Sequence, residues 1–388
     1  MKRVLFVDDE QNILDGLRNL LWKYRRKLDM AFARGGEAAL EQLAEGPFDV
    51  IVSDMRMPGM DGATLLQKVK QEYPDTVRIV LSGHAERETI FRALPVSHQF
   101  LSKPCGAEKL CNVIEQACRL RELVSDESLR KAVGGIEKLP SLQTTYHELM
   151  HAMAQPDASA QTVAGIVQKD PAMCAKLMQL VNSACFGPMK SVTRIDQAVD
   201  YLGLELIRNL ALTVNAFASL EQTPSSSVVS FEAQQQHSFL TAKVASRLFP
   251  DPQKAQDAFT AGLLHDVGNM ALELCVPERF PVCPDQVGGT THAEVGAYLL
   301  GLWGLPYPIV ETVAYHHYPA GAAETTFDLP SAINVADALV DQAMGNNAGQ
   351  RENSEIDMER LTALNVASRI PEWSAIAAEE VELWGRRN

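Results

Sequence analysis

Four short apolar runs, each closed by a polar residue, constrain the fold of this chain more than any other feature. Val4-Leu5-Phe6-Val7 ends in Asp8-Asp9-Glu10, and Val50-Ile51-Val52 ends in Ser53-Asp54. Val77 to Leu81 ends in Ser82, and His98 to Ser102 ends in Lys103-Pro104. Their length and β-branched content predict buried strands of a parallel sheet. Helical periodicity between them, over Asn12–Tyr24, Gly36–Ala44 and Ala63–Val69, with a further edge-like strand over Leu28–Ala33, predicts a doubly wound α/β architecture.

In such a sheet ligands bind at the carboxyl ends of the strands. Here that edge collects an acidic pair, a lone carboxylate, a hydroxyl and a lysine. Carboxylates gathered around one point need a divalent cation among them, and hard oxygen ligands suit Mg²⁺. An ammonium and a hydroxyl beside it hold the remaining oxygens of a phosphoryl group. The ordered set, with the turn Met57-Pro-Gly-Met-Asp-Gly62 after Asp54, resembles the receiver domain of two-component response regulators. The resemblance implies a five-stranded, flavodoxin-like domain over residues 1–122 and a sensor histidine kinase as partner. It makes Asp54 the phosphoacceptor, Asp8, Asp9 and Asp54 the Mg²⁺ site with the Arg56 carbonyl, and Ser82 and Lys103 the catalytic hydroxyl and lysine. It also implies a cis bond to Pro104 and an aromatic switch position at Phe100.

Composition narrows the remaining classes. At 388 residues the chain is long enough for two or three domains. Residues Met1-Lys2-Arg3 lead straight into a strand, so no signal peptide is expected, and no apolar run is long enough to span a membrane. The seven cysteines include no CxxC pair and read as reduced thiols in a cytoplasmic protein. A formal charge of −14 and the lack of a basic recognition helix argue against nucleic acid as a partner.

Beyond the sheet the chain reads as all helical. An apolar stripe of Leu110, Val113, Ile114, Ala117, Leu120 and Val124 extends one helix from Ala107 to Val124. It serves either to pack on the sheet or as a seam for a homodimer. A helical linker over residues 123–138 is broken by Gly134-Gly135, and Leu139-Pro140 opens a new domain. Helices are expected over Tyr146–Met153, Thr162–Gln168 (capped by Ser159), Ala172–Asn182, Arg194–Tyr201 and Glu205–Leu220, with a loop over Pro224–Ser227 before a second helical group. Asp170-Pro-Ala172, Leu180-Val-Asn-Ser-Ala184, Phe186-Gly187 and Ile195–Gly203 resemble the HDOD domain, a helical signalling relative of the HD hydrolases, over residues 139–340. Asn182 reads as a buried hydrogen-bonding residue.

Five of the nine histidines lie between 237 and 317. Imidazoles with carboxylates are the usual shell for Zn²⁺, Mn²⁺ or Fe²⁺. In order, His237, the pair His265-Asp266 and Asp337 are similar to the ligand order of the HD superfamily. His292, His316 and His317 match the extra ligands of its dinuclear members, the cyclic di-GMP phosphodiesterases. Adjacent His and Asp on one helix turn reach a shared ion only where the helix end is distorted or bridged. Two departures stand against hydrolysis: Tyr318-Pro-Ala-Gly321 replaces a Gly-Tyr-Pro loop, and Asn269 stands where those enzymes carry a lysine. The expectation is an output domain that acts on an unidentified downstream protein, with a metal-dependent phosphohydrolase as the alternative. Residues 341–388 read as a helical extension whose Trp373 and Trp384 pack back on the domain.

Overall fold

The computed structural model describes residues 1–83, 92–155, 157–183, 191–213, 218–219, 225–276, 286–287, 289–319, 326–345 and 355–387. The chain divides into two compact units. One comprises Met1–Glu137, Gln179–Lys190 and Tyr298–Gly304, and the other Lys138–Met178, Ser191–Ala297 and Leu305–Asn388.

The first unit holds five parallel strands, β1 (Lys2–Asp8), β2 (Leu28–Arg34), β3 (Val50–Ser53), β4 (Val77–Ser82) and β5 (Gln99–Ser102), in the order β2-β1-β3-β4-β5. The helices α1 (Gln11–Leu20), α2 (Gly36–Glu45) and α3 (Gly62–Glu72) connect them. Val4, Leu5, Phe6, Val50, Ile51, Ile79 and Val80 are all fully buried, which is why these runs are apolar without alternation. Strand order reverses beside β1, and the register Val7↔Ser53 brings the ends of β1 and β3 level. Asp8 and Asp54 therefore meet at the switch point of the sheet, where such folds bind ligands. Asp61 caps α3, accepting from Thr64 N at 2.8 Å. At Gly62 a Cβ would stand 2.1 Å from the Asp54 carbonyl oxygen, so the turn after the phosphoacceptor position needs glycine there.

The stripe that begins at Ala107 does not continue as one helix to Val124. Helix α4 (Ala107–Leu120) stops, and a tight turn joins it to α5 (Glu127–Gly134), which Asp126 caps. Arg121 lies in the turn and pairs with Asp49 at 2.5 Å and with Asp75. Its own backbone is still helical (φ −64°, ψ −20°), and the chain leaves the helix after it. Leu110, Ile114, Ala117, Leu120 and Val124 are buried, so the stripe packs within the protein and does not form a free seam for a second copy. Arg78 fixes the following helix. Its guanidinium, almost wholly buried, donates to the carbonyls of Val96 (2.7 Å), Thr76 (3.2 Å) and Gly134 (2.8 Å), and burial lowers its pKa to about 10.

The second unit is helical apart from two-residue pairings of β6 (Pro140–Ser141) with β7 (Ala218–Ser219) and β8 (Gln286–Val287) with β9 (Thr290–Thr291). Its early helices are α6 (Gln143–Ala154), α7 (Ala160–Val167), α8 (Pro171–Asn182), α9 (Ile195–Leu202) and α10 (Leu204–Thr213). Ser159 caps α7 through Thr162 N. Asn182, expected in the core, is the last residue of α8 and half-buried; Gln179 and Ser183 are the buried polar residues there. Ala184, Phe186 and Gly187 lie outside the described residues.

The serines expected in a loop at 225–227 instead open a long helix, α11 (Ser225–Arg247). It packs on α12 (Pro252–Leu264), α16 (Leu329–Met344) and α18 (Ile370–Arg387). Between these lie α13 (Val267–Cys275), α14 (His292–Leu302), α15 (Tyr307–Tyr315) and α17 (Met358–Ala363). Helix α16 runs through residue 340, the boundary expected from the sequence. Trp373 is fully buried and stacks on Phe327 at 5.1 Å, and Trp384 meets Phe239 at 5.3 Å. Arg360 ties the segment to the start of α16 through Asp328 (2.5 Å) and Ser331 Oγ (2.8 Å). No helix among the described residues is long and apolar enough to cross a membrane.

Candidate functional site

The sheet edge of the first unit brings together Asp8, Asp54 and Lys103. Lys103 Nζ lies 2.6 Å from Asp8 Oδ2 and 2.5 Å from Asp54 Oδ1. Burial lowers the lysine pKa, but the hydrogen bonds and charges of Asp54 and Asp8 outweigh it, and the net shift is upward. Arg56 N donates to Asp54 Oδ2 at 2.5 Å, and Glu10 N to Asp8 Oδ1 at 3.0 Å. The peptide bond to Pro104 is cis, and Phe100 is buried. Ser82 ends β4, with its backbone level with Ser102. Asp9 is half-buried, and its carbonyl accepts from Arg34 Nε at 3.0 Å; the contacts above do not include its carboxylate. The carboxylates of Asp8 and Asp54 thus meet through one ammonium. Hard oxygen donors beside a cation, at the end of a parallel sheet, suit Mg²⁺ and a phosphoryl group.

In the second unit all seven histidine and aspartate residues singled out in the sequence converge. His237 projects from α11. His265 and Asp266 occupy the junction where α12 ends and α13 begins, with His265 at φ −57° and Asp266 at φ −99°, ψ 8°. The break at the helix junction is what lets neighbouring residues face one point. His292 opens α14, His316 and His317 follow α15, and Asp337 lies in α16. His265 and His316 are fully buried, and His237, Asp266, His292 and Asp337 nearly so.

Three sets of ligating atoms lie within 4.8 Å of one another: His237, His265 and Asp337; His265, Asp266 and His316; and His292, His316 and His317. The middle set shares one residue with each of the others, so the cluster has two poles joined by a bridge. Two tautomers follow from the backbone. His265 Nδ1 donates to Gly262 O at 2.7 Å and His316 Nδ1 to Val313 O at 2.8 Å, which turns each Nε2 inward. Buried His265 Nε2 has no hydrogen bond and lies 3.5 Å from Asp337 Oδ1 and 3.6 Å from Asp266 Oδ1. His292 Nε2 is 3.4 Å from His316 Nε2, 3.0 Å from His317 Nε2 and 3.3 Å from Asp266 Oδ1.

Imidazole nitrogens and carboxylate oxygens facing one another in a buried space fit divalent metal, with second-shell carbonyls fixing the ring orientation. The electrostatics agree. Burial and the neighbouring His317, His265 and His292 hold the His316 pKa well below the usual value, and burial lowers that of His317, so both present neutral, ligand-competent rings. Burial works against charge on Asp337, yet the hydrogen bond from His237 and the nearby His265 hold its pKa well below the carboxylate range. At His265 burial is outweighed by Asp266 and Asp337, and the net shift is upward. A divalent ion answers the same negative field that holds a proton there.

Three further residues surround the cluster, of which Gln234 and Asp341 are not singled out by the sequence. Gln234 Nε2 donates to the Asp266 carbonyl at 3.0 Å, and Asn269 Nδ2 to Asp266 Oδ1 at 3.2 Å. Asp341 Oδ1 lies 3.3 Å from His237 Nδ1. The spacing of Asp337 and Asp341, one helical turn apart, is the sequence signal that could have found the last of these.

Residues 4–115 match the family model of the response regulator receiver domain, and residues 139–319 that of the HDOD domain. The chain is 27% identical over 219 residues to an uncharacterized protein of Treponema pallidum, covering 53% of this chain and 42% of that one. It is 34% identical over 128 residues to the response regulator protein PilR of Pseudomonas aeruginosa, covering 33% of this chain and 28% of that one. The chain thus spans less than half the length of these relatives. Among solved structures, the receiver domain of an HD domain-containing protein from Pseudomonas fluorescens Pf-5 is 33% identical, covering 31% of this chain and 97% of that one, with a TM-score of 0.30. With a five-stranded parallel sheet at its start and a helical region after it, the chain belongs to the proteins that join a response regulator receiver domain to an HDOD domain.

Proposed function

We propose that this chain is a response regulator in which phosphorylation of Asp54 controls a metal-holding HDOD output domain that acts on a downstream protein. A receiver domain implies a histidine kinase as partner. The observation that carries the reading of the receiver is the set of contacts joining Asp54, Asp8 and Lys103 at the switch point of the sheet. Asp54 accepts the phosphoryl group, Asp8 and Asp9 hold Mg²⁺, and Lys103 and Ser82 meet the phosphoryl oxygens. Acetyl phosphate with Mg²⁺ is expected to add one phosphoryl group by intact mass, and Asp54→Asn to remove that addition. Equal labelling of the variant would sink the assignment.

The output reading rests on the three overlapping ligand sets of the histidine cluster. His237, His265, Asp266 and Asp337 form one pole, and His292, His316 and His317 the other. A second reading, metal-dependent phosphohydrolysis of a cyclic dinucleotide or another phosphodiester, is favoured by the shared residues His265 and His316, which suit a pair of ions. Such a pair supplies Lewis acidity and an activated water at neutral pH. Against rapid turnover, position 269 carries an amide engaged with Asp266 instead of a cation to meet substrate phosphate. Protein grown with Mn²⁺ or Fe²⁺ is therefore expected to contain metal, and to hydrolyse cyclic di-GMP and bis(p-nitrophenyl) phosphate slowly or not at all. Fast turnover lost in both His265→Ala and Asp266→Ala would establish the hydrolase reading instead. A metal-free wild type would remove both.

A further inference from the structure

We infer that Asp341 is a positioning residue for the metal centre, orienting His237 through its Nδ1; this rests on the metal-holding reading of the cluster. A histidine that ligates metal through Nε2 needs its proton on Nδ1, and an acceptor at Nδ1 sets both tautomer and ring orientation. His265 and His316 obtain that acceptor from their own helices. Each follows directly on a helix end, where carbonyls are not all committed to the helical ladder, and each donates to the carbonyl three residues earlier, Gly262 or Val313. His237 has no such recourse, because it lies in the interior of α11, where backbone carbonyls accept from the next turn.

The acceptor comes instead from α16, which packs against α11. Asp337 Oδ1 lies 2.7 Å from His237 Nε2, and Asp341 Oδ1, one turn later on the same helix, lies 3.3 Å from Nδ1. The two carboxylates hold opposite nitrogens of one ring. Asp341 is itself nearly buried, and its Oδ1 makes no hydrogen bond of normal geometry in this state. A carboxylate in that setting needs a compensating donor, and the Nδ1–H of a metal-bound imidazole is the group in reach. Asp337 and Nε2 would hold the ion, while Asp341 stands at the opposite edge of the ring and would complete a carboxylate–histidine–metal series.

The test uses the full chain loaded with Co²⁺ alone, reading affinity by competition with a chelating dye and ligand geometry by the visible d–d spectrum. Loss of an outer partner of this kind weakens metal binding by about 10–100-fold. Asp341→Ala is expected to show that loss together with an altered Co²⁺ spectrum, at unchanged far-ultraviolet circular dichroism. Asp341→Asn keeps an oxygen acceptor in place and is expected to recover most of the affinity and the wild-type band positions. Wild-type affinity and spectrum in Asp341→Ala would overturn the assignment while leaving the metal centre standing. Equal weakening in the Ala and Asn variants with an unchanged spectrum would overturn it in favour of a general packing role. A wild type that takes up no Co²⁺ would overturn the metal centre, and the role of Asp341 with it.

Discussion

The two polar centres of this molecule solve the problem of gathered carboxylates in opposite ways. At the sheet edge the compensating cation belongs to the chain: Lys103 closes on Asp8 and Asp54 together. In the helical unit, Asp266 and Asp337 face imidazoles, groups whose ordinary pKa near 6.5 makes them conditional cations. The first site thus carries part of its charge compensation before any ion arrives, with one ammonium set against two carboxylates. In the second, burial lowers the pKa of His316 and His317 whereas Asp266 and Asp337 raise that of His265, so compensation there depends on protonation. One centre carries a fixed cation and the other conditional ones.

The sharpest test of this contrast is metal removal. An ion present at 100 times its dissociation constant stabilises the folded state by roughly 2.7 kcal/mol. Stripping metal with a chelator is expected to lower the melting temperature of the helical unit and to leave that of the receiver in place. A single transition that shifts as a whole would break the contrast. Lys103→Met probes the other side. It leaves Asp8 and Asp54 facing each other without their ammonium, at a cost of about 1–3 kcal/mol. Added Mg²⁺ should restore much of that stability, and thermal melts with and without Mg²⁺ read both effects. A variant as stable as the wild type without Mg²⁺ would show that the carboxylates do not depend on the lysine.

A smaller effect concerns His98, which sharpens the view that a buried ring holds one protonation state where its partners demand it. Its Nδ1 accepts from Arg78 N at 3.0 Å, so Nε2 carries the proton and donates to Gly134 O, also at 3.0 Å. Burial, then the adjacent Arg78 charge, holds its pKa well below 6.5. The unfolded chain takes up a proton near pH 6.5 and the folded one does not. The stability His98 contributes is therefore full above pH 6.5 and falls progressively as pH drops below it. Urea melts of the wild type between pH 7.5 and 5 should show a loss that His98→Gln makes shallower. A pH dependence steeper in the variant would contradict this.

Much of this was legible in the sequence because its signals are local. The apolar runs gave the sheet, and their terminal residues Asp8, Asp54, Ser82 and Lys103 gave the edge, since a parallel strand fixes which end carries function. The second centre was legible only through the resemblance of the order His237, His265-Asp266 and Asp337 to the HD superfamily. What escaped depends on pairs far apart in sequence. No local breaker marks the stop of α4 at Leu120, beside which Arg121 reaches Asp49 and Asp75. Burial of Arg78 rests on carbonyls from Val96 and Gly134, which periodicity does not reveal. Asp341 reads as one more surface acid on a helix until α11 is laid against α16. The apolar segment around Asn182 points it to the core, whereas the end of α8 leaves it half-exposed.

Gly268 carries a consequence for how such a protein changes over generations. A Cβ at this position would stand 1.8 Å from the carbonyl oxygen of His292 and 2.8 Å from the amide of Gly296. The two backbones cross here in contact, and the crossing is what delivers His292 to the cluster. Any other residue at 268 pushes the start of α14 away and takes the histidine with it. Glycine 268 and histidine 292 are thus one heritable character written at two positions. A lineage that abandoned the metal would be expected to release both together, while replacement of the glycine beside a retained histidine would mark a backbone that has already moved.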